Sequence, residues 1–206
     1  APKGVCDLKS TGVSTNLIVN ASAPPFNDAK IRQAMSLALD RKSFIDILSE
    51  GKAVKGAAML PPPNGKWGMP QEMLNQLPGY NDGDVVKNRE KARKIMEGLG
   101  YSASKPLKVK VSTRNIAIYR DPAVILIDQL KTIHIAAELD VVDTSIWHAK
   151  VARKDYSVGL NLTGVGVDDP DVNFYENYKC ESQRNYTKYC NKDLEKLFDA
   201  QSMEAD

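Results

Sequence analysis

The chain has 206 residues, of which 42% are hydrophobic, 26% charged and 7% aromatic. Those fractions exclude disordered, collagen-like, coiled-coil and disulfide-scaffold classes, and the length suits one large domain or two small ones. Twenty-eight basic against 26 acidic side chains leave a net charge of +2. The two signs are interleaved, and even the basic run 87–94 contains Glu90, as a solvated helix face does. There is no basic stripe set with aromatics of the kind nucleic acid requires, nor a one-sided basic helix for a membrane surface, so neither is expected as a partner. The longest apolar runs, 123–127 and 135–137, fall far short of the ~20 residues that span a bilayer. No secretory leader is legible in Ala1-Pro2-Lys3-Gly4, so any signal peptide is expected to be gone, and the end soon after a helix at 191–203 reads as a truncation.

In chain order, a short β-like run at 16–20 comes first. Pro24-Pro25-Phe26 then forces an extended entry, and Asn27 or Asp28 supplies a helix cap. Ile31, Ala34, Met35 and Ala38 recur at helical spacing to about Leu39. Asp40 caps a second helix carrying Phe44, Ile45, Ile47 and Leu48, with Gly51 as its left-handed stop. Residues 56–86 hold Pro61-Pro62-Pro63, Gly65, Gly68, Pro70, Pro78 and Gly79. Met59, Trp67, Leu74 and Tyr80 give this stretch apolar surface to bury, so it reads as a long ordered loop. Asn88 caps a helix with Ala92, Ile95, Met96 and Leu99 on one stripe, closed by Gly100. Leu107, Val109 and Val111 alternate along a strand at 107–113, and Asp121-Pro122 reads as a cap with proline at the first helical position. Ala137, Leu139 and Val141 mark a second strand, which makes a parallel crossover with the first. A helix at 145–153, a third strand at 156–162 and short helices near 171–178 and 191–203 complete the series. No internal repeat is visible.

Enzyme signatures are missing from the text of the chain: there is no Gly-x-Ser-x-Gly, Walker loop or His-Glu-x-x-His. Gly164 and Gly166 begin a Gly-x-Gly pair, but Asp169 stands where a dinucleotide fingerprint needs its third glycine. His134 and His148 have no Cys, His or carboxylate at ligand spacing, and Asp168, Asp169 and Asp171 lack the other oxygens of a calcium loop. Turn and cap chemistry is the plainer reading of the aspartates, and no metal or cofactor is expected. Cys180 and Cys190 lie ten positions apart in a polar stretch, with Cys6 left over. A bridge between them would stabilise by roughly 3 kcal/mol on the chain-entropy account and imply an oxidising compartment; two unpaired thiols are the alternative.

In an open parallel sheet, ligands sit beyond the carboxyl ends of strands. Strand 107–113 runs into Arg114 and Asn115, with Tyr119 a turn later, and strand 156–162 runs into Thr163, Gly164, Val165 and Gly166. Arg114 can present its fork to a carboxylate or sulfonate, Tyr119 can stack or donate, and Gly164 lets a ligand approach the backbone. An Arg114 paired with Asp121 or Asp168 is the purely structural alternative.

Asn20 with Pro24-Pro25-Phe26-Asn27-Asp28, Ile31-Arg32-Gln33-Ala34 and Ala38-Leu39-Asp40-Arg41 resembles the signature of periplasmic solute-binding proteins of the peptide, nickel and opine type, served by ABC importers. Ala92-Arg93-Lys94-Ile95 before Gly100-Tyr101, Gln129-Leu130-Lys131, Asp169-Pro170-Asp171 with Phe174, and Asn185-Tyr186 with Asp193 carry the resemblance across about residues 16–200. It implies an α/β fold: one lobe of a type II periplasmic-binding-protein-like architecture, with a mixed, mostly parallel sheet flanked by helices. Residues 1–20 would be the connection from a missing N-terminal lobe, and residues 21–206 a C-terminal lobe cut short. The implied protein is a periplasmic monomer without catalysis that traps a small solute between two lobes and delivers it to the permease subunits of an ABC transporter. Carried over by position, the solute contacts in this lobe are Arg114, Asn115, Tyr119, Thr163, Gly164 and Val165, with Asp168 beyond them. Peptide-binding members place a Trp and then an Asp in the second loop, the Asp receiving the peptide's amino terminus. Residues 163–167 offer neither, so opines, acidic sugars or aromatic acids suit an Arg-bearing pocket at least as well. Two other classes stand beside this reading: a hydrolase-like domain using Asp168, Asp169 or His148, and an interaction module built on loop 56–86.

Overall fold

The computed structural model describes residues 4, 12–164 and 166–204. Four strands form one sheet in the order β1 (Val13–Val19), β4 (Val158–Gly164), β2 (Leu107–Arg114), β3 (Ile135–Val142). β2 is parallel to β3 over its whole length and parallel to β4 through Val111 and Ser112, whereas β1 runs antiparallel to β4. The carboxyl ends of β2, β3 and β4 therefore share one edge, and the amino end of β1 joins them there, Val13 lying opposite Gly164.

Period-2 alternation divides the sheet's two faces. Leu17, Val111, Val158 and Leu160 face a main core filled by Phe26, Ile31, Met35, Met96, Leu126 and Leu130. These come from α1 (Ala29–Ala38), α4 (Val85–Gly98), α5 (Ala117–Lys131) and the turn before α1. The opposite face carries a smaller cluster of Ile18, Val142, Trp147, Val151 and Tyr156, covered by α6 (Thr144–Ala152). α2 (Arg41–Ser49) and the single turn of α3 (Gln71–Leu74) follow α1, and α7 (Pro170–Asn177) and α8 (Lys192–Ser202) follow β4.

The mixed, mostly parallel sheet flanked by helices is the architecture expected, and Asp28 and Asp40 cap α1 and α2 through side-chain oxygens. Several boundaries differ. The left-handed stop of α2 is shared by Glu50 (φ 52°) and Gly51 (φ 77°). α4 starts at Val85, three residues before Asn88, so Asn88 is a buried residue of the helix and not its cap. α5 starts at Ala117, so Pro122 lies inside the helix and removes one backbone donor from it. That places Tyr119 in the first turn of α5 rather than in a loop. β4 extends through Gly164, so Thr163 and Gly164 are ladder residues opposite Ser14 and Val13. β4 is extended by its pairing with β1, α4 runs on from a single turn at Asp82–Asp84, and the first turn of α5 is held by the bonds of Thr113 and Arg114 to Tyr119.

Segment 56–68 folds back as a strap. Asn173 donates to the Ala58 carbonyl and to Met59 Sδ, and a methyl on Gly65 or Gly68 would strike the Leu60 carbonyl. Met59 and Leu74 are buried as expected, but Trp67 remains half-exposed.

Candidate functional site

Arg114 closes β2 at the shared carboxyl edge. Its Nη1 donates to the Tyr119 hydroxyl at 2.8 Å, and its guanidinium carbon lies 4.6 Å from the centre of the Tyr119 ring. The start of α5 at Ala117 makes this possible, because the first helical turn brings Tyr119 back over the strand end; Thr113 Oγ1 fixes that turn by donating to the Tyr119 carbonyl. Among the described residues Arg114 has no acidic partner within 4 Å: Asp121 pairs with Arg120 instead, and Asp168 is engaged elsewhere. Its Nε is buried and makes no hydrogen bond. A guanidinium held by an aromatic ring but without a counter-charge can still take a carboxylate in the bidentate manner.

Asn115 does not join it. Its backbone N–H bonds to the Val142 carbonyl, and its side chain is exposed. Asp168 accepts the Lys66 N–H at 2.6 Å, while its carbonyl accepts Trp67 Nε1 at 2.9 Å. It therefore pins the strap to the segment following β4. Asp169 caps α7 by accepting the Asp171 N–H, and His148 lies exposed on α6, so the three residues of the enzyme alternative serve separate places. Among the described residues no three His, Cys, Asp or Glu side chains come together as a metal site. Val165 and Cys6 lie outside the described residues.

Thr163 does reach a cavity. Beside it, a concavity of about 140 Å³ opens between the β1–β4 ladder, strap residues 57–60, α7 and the segment 184–187. Asn16 and Asn161 face each other across the ladder. Asn16 Nδ2 donates to Thr163 Oγ1 at 2.8 Å, and Asn161 Oδ1 accepts Trp147 Nε1 at 3.3 Å. Asn173 and Asn177 on α7 bond to one another. Arg184 at the mouth is paired with Glu176, and burial pushes the Tyr178 phenol up, keeping it a neutral hydroxyl. A wider groove of about 280 Å³ near Lys108, Lys110 and Asp140 lies toward the other end of β2, away from the carboxyl edge.

The cavity wall at 184–187 is held by the disulfide between Cys180 and Cys190, whose Cα atoms are 4.6 Å apart. Within the closed loop, Asn185 is buried and its Nδ2 donates to the Lys179 and Tyr189 carbonyls. Tyr156 Oη and Lys154 Nζ anchor the loop from outside through the Tyr186 and Asn185 carbonyls. Burial, and after it the neighbouring Lys188, lower the Lys154 pKa.

Of the residues expected at the site, Arg114 and Tyr119 form one corner and Thr163 a second, on the adjacent strand. Sequence reasoning missed Asn16, Asn161, Asn173 and Asn177. One signal for the first two was present: asparagine is disfavoured inside strands, and both occupy strand interiors.

The chain resembles known proteins throughout. The profile for bacterial extracellular solute-binding proteins, family 5 Middle, matches residues 3–185. The oligopeptide-binding protein OppA of Bacillus subtilis (strain 168) is 25% identical over 190 residues, covering 91% of this chain and 34% of that protein. A probable di/tripeptide-binding protein 5 of Pseudomonas aeruginosa (strain UCBPP-PA14) is 28% identical over 190 residues, covering 87% of this chain and 32% of its own. The crystal structure of Haemophilus influenzae OppA in complex with the peptide RPPGFSPFR superposes with a TM-score of 0.78 over 95% of this chain and 38% of that one, at 20% identity, which speaks for the fold. The chain spans about a third of the length of the curated relatives it matches. With nine-tenths of its length inside the family profile, it belongs to the bacterial extracellular solute-binding proteins of family 5.

Proposed function

We propose that this chain is the C-terminal lobe, residues 21–206 entered through residues 1–20, of a two-lobed solute-binding protein without catalytic activity. The intact protein works outside the cytoplasmic membrane as a monomer, captures a small polar solute by hinge closure and presents it to ABC-importer permease subunits. The observation that carries this reading is the pair of polar features at one sheet edge: Arg114 on Tyr119, without an acidic partner among the described residues, and the cavity beside Thr163. Neither encloses a ligand, and each gains a wall when a second lobe closes over the edge. The Cys180–Cys190 bridge suits an oxidising, extracytoplasmic location. The names of the relatives put peptides among the candidate solutes, while Arg114 favours one bearing a carboxylate.

Bound solute favours the closed state only through its differential affinity for it. The test is calorimetry on the full-length protein and on residues 1–206 alone, with small-angle scattering to follow closure. Binding confined to the full-length protein, with a fall in radius of gyration on adding solute, is expected. Equal affinity for both, or binding without compaction, refutes the two-lobe reading.

A further inference from the structure

The hydrogen bonds already made around the cavity leave a specific set of groups over. Asn16 uses Nδ2 on Thr163 and on the Ser14 carbonyl, so Oδ1 remains as an acceptor. Asn161 uses Oδ1 on Trp147, so Nδ2 remains as a donor. Asn177 uses Nδ2 on Asn173, which leaves a second acceptor, and the Thr163 hydroxyl hydrogen is a second donor. These four groups have no other partner among the described residues, and the three amide atoms are not sealed from solvent. Charge is nearly missing from the lining. Among the described residues it holds no carboxylate, and its one cation there, Arg184, is paired with Glu176. An ammonium or guanidinium entering here would lose water and meet no counter-charge among the described residues; a carboxylate could take the two donors but would face the two amide acceptors, with the arginine already occupied.

We propose that this cavity selects an uncharged carboxamide-like group of the solute, one that donates and accepts at once, and rejects cationic groups. The inference deepens the reading of this edge as half of a solute pocket and rests on it. The volume agrees: about 140 Å³ is close to the ~150 Å³ that accommodates a benzene-sized molecule. Selectivity comes from Asn161 and Thr163. A solute lacking an acceptor leaves the Asn161 amide unpaired, and one lacking a donor leaves Asn16 and Asn177 unpaired.

The test uses full-length protein and three probes of matched size: acetamide, methylammonium and acetate. Each is titrated while the side-chain amide resonances of Asn16, Asn161 and Asn177 are followed. Acetamide is expected to shift them, with the two ions weaker by about tenfold or more. Asn161→Asp keeps the acceptor for Trp147 but replaces the free donor with a carboxylate oxygen. It should weaken acetamide by about tenfold and admit methylammonium. Thr163→Val, which preserves shape on the strand, should weaken acetamide about two- to tenfold and serves if the first variant does not fold. Methylammonium matching acetamide, acetamide leaving the resonances unmoved, or a folded variant with unchanged preference overturns the proposal. Solute-driven closure is read by scattering and does not depend on which group enters the cavity, so the two failures are separable.

Discussion

Replacing Cys180 and Cys190 together by serine opens a loop whose ends lie ten residues apart and whose interior forms one wall of the cavity. The chain-entropy relation gives about 9 cal/mol/K for a loop of this size, or about 3 kcal/mol at 25 °C. In a domain of this length 1 kcal/mol moves the melting temperature by about 2–4 °C, so a fall of about 5–12 °C is expected. Asn185 moderates the loss, because its bonds to Lys179 and Tyr189 already bring the two ends of the loop together. The assay is thermal unfolding by circular dichroism, with the native chain in oxidising buffer and in excess reductant beside the double variant. Reduced native chain and variant should melt together, and the variant should ignore the reductant. If thiol titration shows the bridge open while the native melt stays within a degree or two, the closed loop contributes nothing to stability and the reasoning fails.

Two further outcomes follow from the core and from titration. Trp147 is fully buried beneath the sheet and donates to Asn161, so Trp147→Ala should cost about 3–5 kcal/mol in urea unfolding, whereas Trp147→Phe should cost clearly less. At Asp40, burial alone would raise the carboxyl pKa, but the Ser43 hydroxyl and amide, with Arg89 behind them, outweigh it and hold it below the usual carboxylate range. A depressed carboxylate contributes stability above its unfolded pKa of ~3.9 and loses it as pH falls through the lower folded value. The urea midpoint should therefore decline below about pH 4 through this group, and Asp40→Asn should flatten that part of the profile.

The sheet, its crossover and most helices were legible because burial follows period 2 or 3.6 in plain view: Ile31, Ala34, Met35 and Ala38, or Leu107, Val109 and Val111. The starts of α4 and α5 were not. Asn88 and Asp121-Pro122 carry ordinary cap chemistry, but α4 runs on directly from a single turn at Asp82–Asp84, and the first turn of α5 is tied to the end of β2 through Tyr119. The site was half legible. Arg114, Tyr119 and Thr163 follow from the rule of strand ends, whereas Asn173 and Asn177 reach the cavity only because α7 and the strap meet there, a contact between residues some 115 positions apart. Several motif residues turn out to be brackets. Asn20 ties the end of β1 to the Lys154 and Tyr156 carbonyls, and Asn185 ties the bridged loop.

The Asp168 pin has its own consequence. By gripping the Lys66 amide and the Trp67 indole, it fastens the long strap to the short connection before α7, and Asn173 grips the same strap at the Ala58 carbonyl. A strap of that length, left loose, would have to be frozen by an incoming molecule, at about 0.5–1.5 kcal/mol for each side chain immobilised. Here the bonds of Asp168 and Asn173 already hold part of the strap, so on the proposed reading of this edge less of that ordering is left to the solute.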